Sequence, residues 1–204
     1  MLAHESTLWR RGLRSVAGID EAGRGPLAGP VVAAAVIFPP GCFHPGVDDS
    51  KKLSPAKREE MEAVIRENAL GVGVGIVDHA TIDRLNILNA TFQAMHEAVR
   101  ALPDEPEFLL VDGNRFRGGT IPFAAIVDGD ARSLCIAAAS IIAKVTRDRI
   151  MREYDQEFPG YGFARHKGYG TPQHRDAIAR LGLCSIHRRS YTRLLEIGSG
   201  PVRC

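Results

Sequence analysis

Three short apolar segments of this chain each lead into acidic residues. The segments and the acids that follow them are residues 16–19 with Asp20 and Glu21, residues 108–111 with Asp112, and residues 123–127 with Asp128 and Asp130. Burying a carboxylate at the end of a core strand costs free energy, and burying two side by side costs more, unless a cation compensates them. The repeated pattern therefore predicts a metal site built from oxygen ligands.

Four of these acids, drawn from three places in the chain, form the candidate site: Asp20, Glu21, Asp112 and Asp130. Their neighbours in sequence include no histidine or cysteine, and an all-oxygen donor set favours Mg²⁺ or Mn²⁺ over Zn²⁺. Four clustered carboxylates can hold two divalent ions roughly 4 Å apart, one activating a water and one stabilising the leaving oxygen of a phosphodiester. For any single acid, the alternative is a turn cap or a surface salt bridge.

A glycine-rich turn follows the first acidic pair. In Gly23-Arg24-Gly25 the two glycines let the backbone approach a ligand closely, because no Cβ intervenes. Backbone N–H and C=O groups there could bind a sugar hydroxyl or a phosphate. The alternative is a tight hairpin turn that merely needs glycine, and the triplet matches neither the dinucleotide fingerprint nor the Gly-Lys-Ser/Thr phosphate loop.

The net charge of +2 conceals an asymmetry along the chain. Residues 1–131 contain 13 Lys/Arg and 18 Asp/Glu, whereas residues 132–204 contain 13 Lys/Arg and 6 Asp/Glu. Between Tyr161 and Arg193 there are seven basic residues and one acid, Asp176. A solvated basic face would explain this run. The alternative is a polyanion-binding surface beside an acidic metal pocket, the combination that nucleic-acid chemistry needs.

The composition is that of a globular protein, with 204 residues, 45% of them hydrophobic and 25% charged. No apolar stretch reaches the roughly 20 residues that span a membrane, and residues 1–14 show no secretory signal. The four cysteines are far apart and form no Cys-x-x-Cys pair, which indicates reduced thiols. We therefore expect a cytoplasmic monomer without a membrane partner.

Hydrophobic periodicity predicts five strands and four clear helices. The strands are residues 16–19, 31–38, 72–76, 108–111 and 123–127, and the helices are residues 54–69, 86–101, 132–157 and 172–181. Their order predicts an α/β fold, with a mixed sheet, helices on its faces and a helical C-terminal extension. We divide the chain into a catalytic domain, residues 1–157, and a basic extension, residues 158–204, that contributes to substrate binding.

Five motifs, in this order, resemble those of the type 2 ribonucleases H, the ribonuclease HII family. They are DEAGRGPLAGPV at residues 20–31, DSKKLS at 49–54, VDG at 111–113, AASIIAKVTRD at 138–148 and HKGYGT at 166–171. Any one could arise by chance, but five in order are highly specific, and the similarity covers residues 16–189. The resemblance implies a ribonuclease H-like fold with a central mixed sheet of five strands.

The same resemblance implies metal-dependent endonucleolytic hydrolysis of RNA in RNA–DNA hybrids, with 5′-phosphomonoester products. It also implies nicking on the 5′ side of a single ribonucleotide embedded in duplex DNA, as in ribonucleotide removal during replication and repair. By motif position, the catalytic ligands of two Mn²⁺ or Mg²⁺ ions are Asp20, Glu21, Asp112 and Asp130. Asp128 competes with Asp130 for the fourth position, and the spacing of 18 residues from Asp130 to Asp148 suits the family pattern.

Substrate-binding residues are likewise implied by the resemblance. Gly23, Arg24 and Gly25 become the loop that senses the ribose 2′-hydroxyl, the group that distinguishes RNA from DNA. Tyr169 becomes the aromatic residue beside the junction sugar, and Lys51 becomes a phosphate contact. The expected partner is thus an RNA–DNA hybrid or a ribonucleotide-containing DNA duplex.

Ser140, Lys144 and Asp148 are spaced four residues apart and form a polar stripe on the long predicted helix. Lys144 and Asp148 could form an ordinary i,i+4 ion pair worth about 0.2–0.5 kcal/mol. Alternatively, Lys144 faces a phosphate and Asp148 lies near a metal without being one of its main ligands. The pattern leaves both open. We expect Arg188 and Arg189 to make general contacts with the nucleic-acid backbone.

Two other classes of protein also fit the residues. One is a non-catalytic module in which the acids hold a structural ion and the basic residues bind nucleic acid. The other is a different nuclease on the same fold, such as a junction resolvase, which has no need of the 2′-hydroxyl. Cleavage of a duplex that carries one ribonucleotide distinguishes all three.

Overall fold

The computed structural model describes residues 1–42 and 53–192. Its centre is a five-stranded sheet with the strand order β3-β2-β1-β4-β5. The strands are β1 (Val16–Ala22), β2 (Val31–Ile37), β3 (Gly71–Val77), β4 (Phe108–Asp112) and β5 (Phe123–Ile126). β1, β2 and β3 pair antiparallel, whereas β4 pairs parallel with both β1 and β5. The predicted mixed sheet is confirmed.

Helices surround this sheet. In the described residues they are α1 (Ala3–Arg10), α2 (Pro55–Asn68), α3 (His79–Leu85), α4 (Ile87–Arg100), α5 (Leu134–Glu157), α6 (Phe163–His166) and α7 (Pro172–Leu181). A short 3₁₀ turn, Gly129–Ala131, precedes α5. None of the described helices is long and apolar enough to cross a membrane.

The sheet lies between two helical layers. On one face, Ile19 and Val111 pack with Met95 of α4. On the other face, Val36 packs with Ile141 of α5, together with side chains of α2. Because both faces are covered, the central strands are apolar along most of their length, and polar residues emerge where the strands end.

Glycines let the helices approach the sheet closely. A Cβ on Gly18 of β1 would lie 2.1 Å from the backbone carbon of Cys135, at the start of α5. Similarly, a Cβ on Gly73 or Gly75 of β3 would lie 2.0 Å from a carbonyl oxygen of α4. Close contact at Gly18 brings the first turns of α5 against the strand that carries Asp20.

Helix α1 provides a hydrogen-bond acceptor for groups at the start of α5. The buried carboxylate of Glu5 accepts hydrogen bonds from the Ser133 hydroxyl at 2.6 Å and from the Cys135 N–H at 3.0 Å. Ser133 in turn caps α5, since its hydroxyl oxygen accepts from the Ile136 N–H at 3.2 Å. The first amides of the longest helix are therefore paired, although they are buried.

The residues that follow α5 pack back onto the rest of the molecule. Phe163, Ala177 and Ile186 form an apolar cluster with Met151 of α5 and with Ala28, which lies between β1 and β2. Backbone hydrogen bonds join the same regions, because Leu27 N–H donates to Gly168 at 2.8 Å. The C-terminal residues thus hold the connection between β1 and β2. The domain boundary at residue 157 stays a prediction.

Candidate active site

Sheet topology brings the acids of two motifs together. β1 and β4 are parallel neighbours, and Ile19 pairs with Val111 in their register. Asp20 and Asp112 are the next residues, so they are neighbours where the pairing of β1 with β4 ends. Asp112 is the last residue of β4, whereas β1 continues to Ala22 by pairing with β2, so the predicted strand end at residue 19 is wrong. This edge of a parallel pair is where sheet proteins commonly bind ligands.

The acids repel one another in a largely buried setting. Asp20 is buried, and its pKa is raised well above the usual value, first by burial and then by the charges of Glu21 and Asp112. Hydrogen bonds from the Glu21 N–H, at 2.7 Å, and from Ser140 oppose this shift. Burial also raises the pKa of Glu21, against the lowering effect of Arg24, whose guanidinium lies 3.1 Å from the Glu21 carboxylate. Negative charge here is only partly compensated.

Asp112 connects β4 to the turn that carries the fourth acid. Its Oδ1 accepts a hydrogen bond from the Gly129 N–H at 2.7 Å. Asp130 follows in the 3₁₀ turn and is buried, whereas Asp128 is exposed and adopts left-handed backbone angles, with φ of 53°. Between the two candidates for the fourth ligand, burial therefore favours Asp130. Its ligand role stays a prediction.

A cavity of about 350 Å³ opens beside these acids. Its polar lining consists of Glu21, Arg24, Thr91, Asp112, Asn114 and Arg115. A larger cavity, about 820 Å³, lies between α4 and residues 117–121, and none of the candidate site residues lines it. We assign the smaller cavity to the candidate site, because its lining contains carboxylates together with cationic groups.

The donor set fits a hard divalent cation. Among residues 1–42 and 53–192, no three His, Cys, Asp or Glu side chains are arranged so that they could hold a metal ion as they stand. Glu21 and Asp112 repel the Asp20 carboxylate, and Arg24 pairs with Glu21 at 3.1 Å. The oxygen-only chemistry and the raised pKa of Asp20 still match a site that a cation would stabilise. The four-carboxylate metal site stays a prediction.

Arg188 fixes the glycine-rich loop from inside the protein. It is fully buried, and its guanidinium donates to four carbonyl groups. These belong to Gly23 at 2.6 Å, Arg24 at 2.9 Å, Gly29 at 2.9 Å and Pro30 at 3.1 Å. The expectation that Arg188 contacts nucleic acid is therefore wrong, because its donors are used within the protein. Arg189 is exposed.

Arg147 of α5 supports the same loop from the other side. Its guanidinium donates to Pro30 at 2.9 Å, Ala28 at 3.2 Å and Lys167 at 3.0 Å. Burial, followed by the charge of Arg188, lowers its pKa to about 10, so it remains a cation at neutral pH. A Cβ on Gly23 would lie 2.1 Å from Arg147 Nε, and φ there is +98°, so only glycine fits.

Tyr169 lies over the glycine-rich loop. Its Cε1 is 3.8 Å from the position that a Cβ of Gly25 would occupy, and the side chain is 45% exposed. The fold therefore brings together two motifs that are more than 140 residues apart in the chain. Arg24 and Gly25 are exposed beside it. These groups form a surface that a ligand can reach.

Lys144 and Asp148 form an ion pair, with Nζ 2.5 Å from Oδ1. The ordinary i,i+4 pair is thus present, and a phosphate contact of Lys144 stays a prediction. A cavity of about 270 Å³ next to this pair is also lined by basic side chains of three elements, namely Arg58, Arg152, Arg165 and Lys167. Lys51, the other predicted phosphate contact, lies outside the described residues.

Comparisons with known proteins agree with this geometry. The sequence model of the Ribonuclease HII family matches residues 17–194. A Ribonuclease HII of Geobacter sulfurreducens is 58% identical over 200 residues, which cover 98% of this chain and 92% of the relative. Ribonuclease H2 of Pyrococcus horikoshii OT3 has a similar solved structure, with a TM-score of 0.76, 27% identity, and coverage of 90% of this chain and 98% of that one.

A more distant solved structure shares the fold alone. Bst-RNase HIII in complex with Mn²⁺ has a TM-score of 0.64 and 23% identity, and the match covers 86% of this chain and 64% of that chain. This likeness supports the fold and nothing beyond it.

Proposed function

The chain belongs to the ribonuclease HII family and is a ribonuclease H endonuclease, a hydrolase, and we propose that it uses divalent cations to nick duplex DNA 5′ to single ribonucleotides. We propose that it also cleaves the RNA strand of RNA–DNA hybrids and leaves 5′-phosphomonoester products. We propose further that it acts in ribonucleotide removal, as a monomer in the cytoplasm. The observation that carries this proposal is that two mutually repelling carboxylates, Asp20 and Asp112, are neighbours where the parallel pairing of β1 and β4 ends.

The proposed cation ligands are Asp20, Glu21, Asp112 and Asp130. Burial and repulsion that raise the pKa of Asp20 support this assignment, because a bound cation would relieve both. The Mn²⁺ complex of Bst-RNase HIII is consistent with Mn²⁺ or Mg²⁺. Divalent cations at such a site supply Lewis-acid stabilisation of the charge that develops on the phosphate and the departing 3′-oxygen.

Recognition of the ribose is assigned to the loop of Gly23, Arg24 and Gly25. Arg188 holds the carbonyl groups of Gly23 and Arg24, which supports a loop whose shape is set before substrate arrives. A rigid backbone can test for one extra hydroxyl better than a mobile one can, because no ordering is required on binding. The exposed ring of Tyr169 provides an apolar surface for the junction sugar.

The C-terminal residues from 158 onward are assigned to binding of the nucleic-acid backbone. Exposed arginines support this role, namely Arg165, Arg175, Arg180 and Arg189. They belong to the basic run that the sequence places after α5. Arginine binds phosphate oxygens in a bidentate manner, so such contacts orient the duplex without reading its sequence.

The test uses a fluorogenic duplex with one embedded ribonucleotide and the variant Asp112→Asn. We expect cleavage by the wild type with Mg²⁺ or Mn²⁺, its loss on chelation, and a fall of at least about 10³-fold in turnover for the variant. Duplex affinity should stay within about threefold, because Asn keeps the size and polarity of the side chain. Asp128→Asn is the matched control, since Asp128 is exposed and Asn tolerates its left-handed angles.

Several outcomes would contradict the proposal. Turnover by Asp112→Asn at the wild-type rate would remove Asp112 from the catalytic set. Tight binding without cleavage of any substrate would indicate a non-catalytic binding module. Cleavage of branched all-DNA junctions in preference to the ribonucleotide duplex would indicate a resolvase. Loss of activity in Asp128→Asn but not in Asp130→Asn would reverse the assignment of the fourth acid.

A further inference from the structure

Three buried histidines lie together beneath the turn that carries Tyr169. His174 Nε2 is 3.1 Å from His187 Nε2, and the rings of His166 and His174 stack with centroids 4.5 Å apart. His174 Nδ1 is 3.0 Å from the carbonyl oxygen of Tyr169. All three side chains are buried, so their ring nitrogens must find hydrogen-bond partners within the protein rather than in water.

If His174 and His187 are both neutral, their hydrogen-bond partners determine which ring nitrogen of each carries the proton. The Tyr169 carbonyl can only accept, so His174 carries its proton on Nδ1 and accepts at Nε2. His187 must then donate from Nε2, which leaves its Nδ1 as an acceptor. The Cys184 N–H and Sγ, 3.0 and 3.1 Å from that Nδ1, supply matching donors, whereas the Cys184 carbonyl oxygen at 3.2 Å receives no proton from it in this tautomer.

His166 follows the same logic independently. Its Nδ1 accepts from the Gly168 N–H at 3.2 Å, so its proton lies on Nε2 and is donated to the Tyr161 carbonyl at 2.8 Å. Two histidines therefore hold two successive residues of one turn, His166 through Gly168 and His174 through Tyr169. The bond from Gly168 needs an unprotonated Nδ1 on His166, and the bond to Tyr169 needs a proton on Nδ1 of His174.

This turn is coupled to the glycine-rich loop. The Gly168 carbonyl accepts from the Leu27 N–H at 2.8 Å, and a Cβ on Gly168 would lie 2.6 Å from the Ala28 carbonyl oxygen. The Tyr169 ring lies 3.8 Å from the Cβ position of Gly25. With contacts this close, a shift of the turn changes where the Tyr169 ring meets the loop.

We propose that His174, held in one tautomer by His187, is a positioning residue that sets the Tyr169 ring over the glycine-rich loop for substrate binding. The proposal rests on the proposed role of Tyr169 in contacting the ribonucleotide junction. His174 itself touches no substrate, because it is fully buried under the turn. Its effect on binding passes through the Tyr169 main chain.

Protonation would break this arrangement. A proton added to His174 at Nε2 would place two N–H donors face to face across 3.1 Å. A proton added to His187 at Nδ1 would instead face the Cys184 N–H donor at 3.0 Å. The titratable groups around the pair are His79, Tyr161, His166, Tyr169 and Cys184. Burial lowers the pKa of His174 to about 4 and also lowers the pKa of His187, which is consistent with a neutral pair at neutral pH.

The first test is direct and does not depend on activity. In ¹⁵N-labelled full-length protein at pH 7, ring nitrogen shifts should report the Nδ1–H tautomer for His174 and the Nε2–H tautomer for His187 and His166. A charged ring at His174, or its Nε2–H tautomer, would overturn the proposal. This measurement stands even if the protein cleaves no ribonucleotide duplex.

The second test links His174 to Tyr169. We expect His174→Leu to raise KM for the single-ribonucleotide duplex by about tenfold or more, with kcat changed far less. His174→Asn should restore most of the affinity, because its amide can still donate near the Nδ1 position. His96→Leu, in a histidine that lines the larger cavity, is the control and should leave KM unchanged.

A double-mutant cycle separates positioning from general stability. If His174 acts through Tyr169, then His174→Leu should add no further rise in KM once Tyr169 is replaced by Ala. Additive effects, an unchanged KM in His174→Leu, or no effect of Tyr169→Ala would each overturn the proposal. If the wild type cleaves no ribonucleotide duplex, the proposed function fails. The positioning role of His174 can still be tested, because a shift of the Tyr169 ring resonances between wild type and His174→Leu shows that the ring has moved.

Discussion

Asp20 is a residue whose chemistry opposes folding. Its pKa is raised mainly by burial and then by Glu21 and Asp112. An acid whose folded-state pKa exceeds its usual 3.8 binds protons more tightly when folded, so stability falls as pH rises through the window above 3.8. At neutral pH the metal-free protein is therefore less stable than it would be without this carboxylate.

Replacing Asp20 with Asn should stabilise the metal-free protein while abolishing cleavage. In chelator at pH 7, a gain of about 1 kcal/mol would raise Tm by roughly 2–4 °C for a chain of this size. The difference from wild type should shrink as the pH falls through and below 3.8, where Asp20 becomes protonated in the unfolded as well as the folded state. Calorimetry across this pH range measures it. A variant that melts below wild type in chelator would show that the carboxylate is already compensated.

Mn²⁺ provides the complementary measurement on the same two proteins. Added Mn²⁺ should raise Tm of the wild type, because a cation that binds only the folded state stabilises it. Asp20→Asn should respond much less, since a proposed ligand is missing.

Arg188 and Arg189 are neighbours in sequence with opposite surroundings, which makes them a matched pair. Arg188→Lys keeps the charge but cannot reach four carbonyl groups, so buried acceptors are left unpaired. We expect a loss of about 2–3 kcal/mol in the free energy of unfolding. Arg189→Lys should change it by less than about 0.5 kcal/mol, because the side chain is exposed. Urea denaturation compares them, and equal effects would contradict the assigned role of Arg188.

The sequence could indicate the acids but not the buried arginines. Asp20 and Asp112 each follow an apolar segment, so strand pattern and charge alone predicted strand ends there. Asp112 does end β4, whereas β1 continues through Asp20 to Ala22. The local sequence around Arg188 does not show whether its side chain faces solvent or buried carbonyl groups. The four carbonyl groups that it binds lie 158 to 165 residues away in the chain. Only the folded chain reveals which of two adjacent arginines lies inside.

At the scale of elements, the five strands and the four long helices were predictable because each combines a clear period with a local start or stop signal. The Ser54 hydroxyl accepts from the Lys57 N–H at 3.2 Å, as its position before Pro55 predicted. Helices α1, α3 and α6 were not predicted. α6 has only four residues, and α1 makes its contacts with residues remote in sequence, such as Glu5 with Ser133 and Leu8 with Leu110 and Ile136.

Close contact between β1 and α5 at Gly18 can be tested by adding one methyl group. Gly18→Ala would place a Cβ 2.1 Å from the Cys135 backbone, so the helix must move and stability should fall by about 1–3 kcal/mol or more. Cleavage should fall as well, since Asp20 lies two residues farther along β1. Denaturation and turnover below the melting range measure both effects.

Gly12→Ala is the control for this substitution. A Cβ there has nothing within 4 Å, and only its φ of +93° opposes alanine, at a cost of about 1 kcal/mol. A smaller loss of stability in Gly18→Ala than in Gly12→Ala would mean that the helix tolerates displacement from the sheet. Turnover should be unchanged in the control.

Across the whole molecule, opposite charges are separated along the chain and meet at the site. The acidic first part supplies the carboxylates of β1 and β4, and the basic last part packs against the loop beside them. The family assignment was predictable from five ordered motifs. Whether each basic residue is buried or exposed was not. Of the seven in the run from Tyr161 to Arg193, Arg188 is buried and Arg193 lies outside the described residues.

Salt dependence of binding measures how many of the exposed arginines contact phosphates. Each phosphate contact contributes about −0.9 to the slope of log K against log salt on duplex DNA. Three contacts from Arg165, Arg175 and Arg180 would give about −2.7, or roughly a fortyfold loss of affinity between 50 and 200 mM salt. Binding is measured with Asp112→Asn, so that cleavage does not interfere.

Arg175 is the arginine to remove first, because its Nε lies 3.2 Å from the Gly170 carbonyl, next to Tyr169. In the Asp112→Asn protein, Arg175→Gln should reduce the slope by about 1. Arg149→Gln is the control, since that exposed arginine already pairs with Glu62 at 2.8 Å and lies outside the basic run. Equal slopes for all three proteins would mean that the duplex does not lie across α7, and the substrate would have to approach the carboxylates from another side.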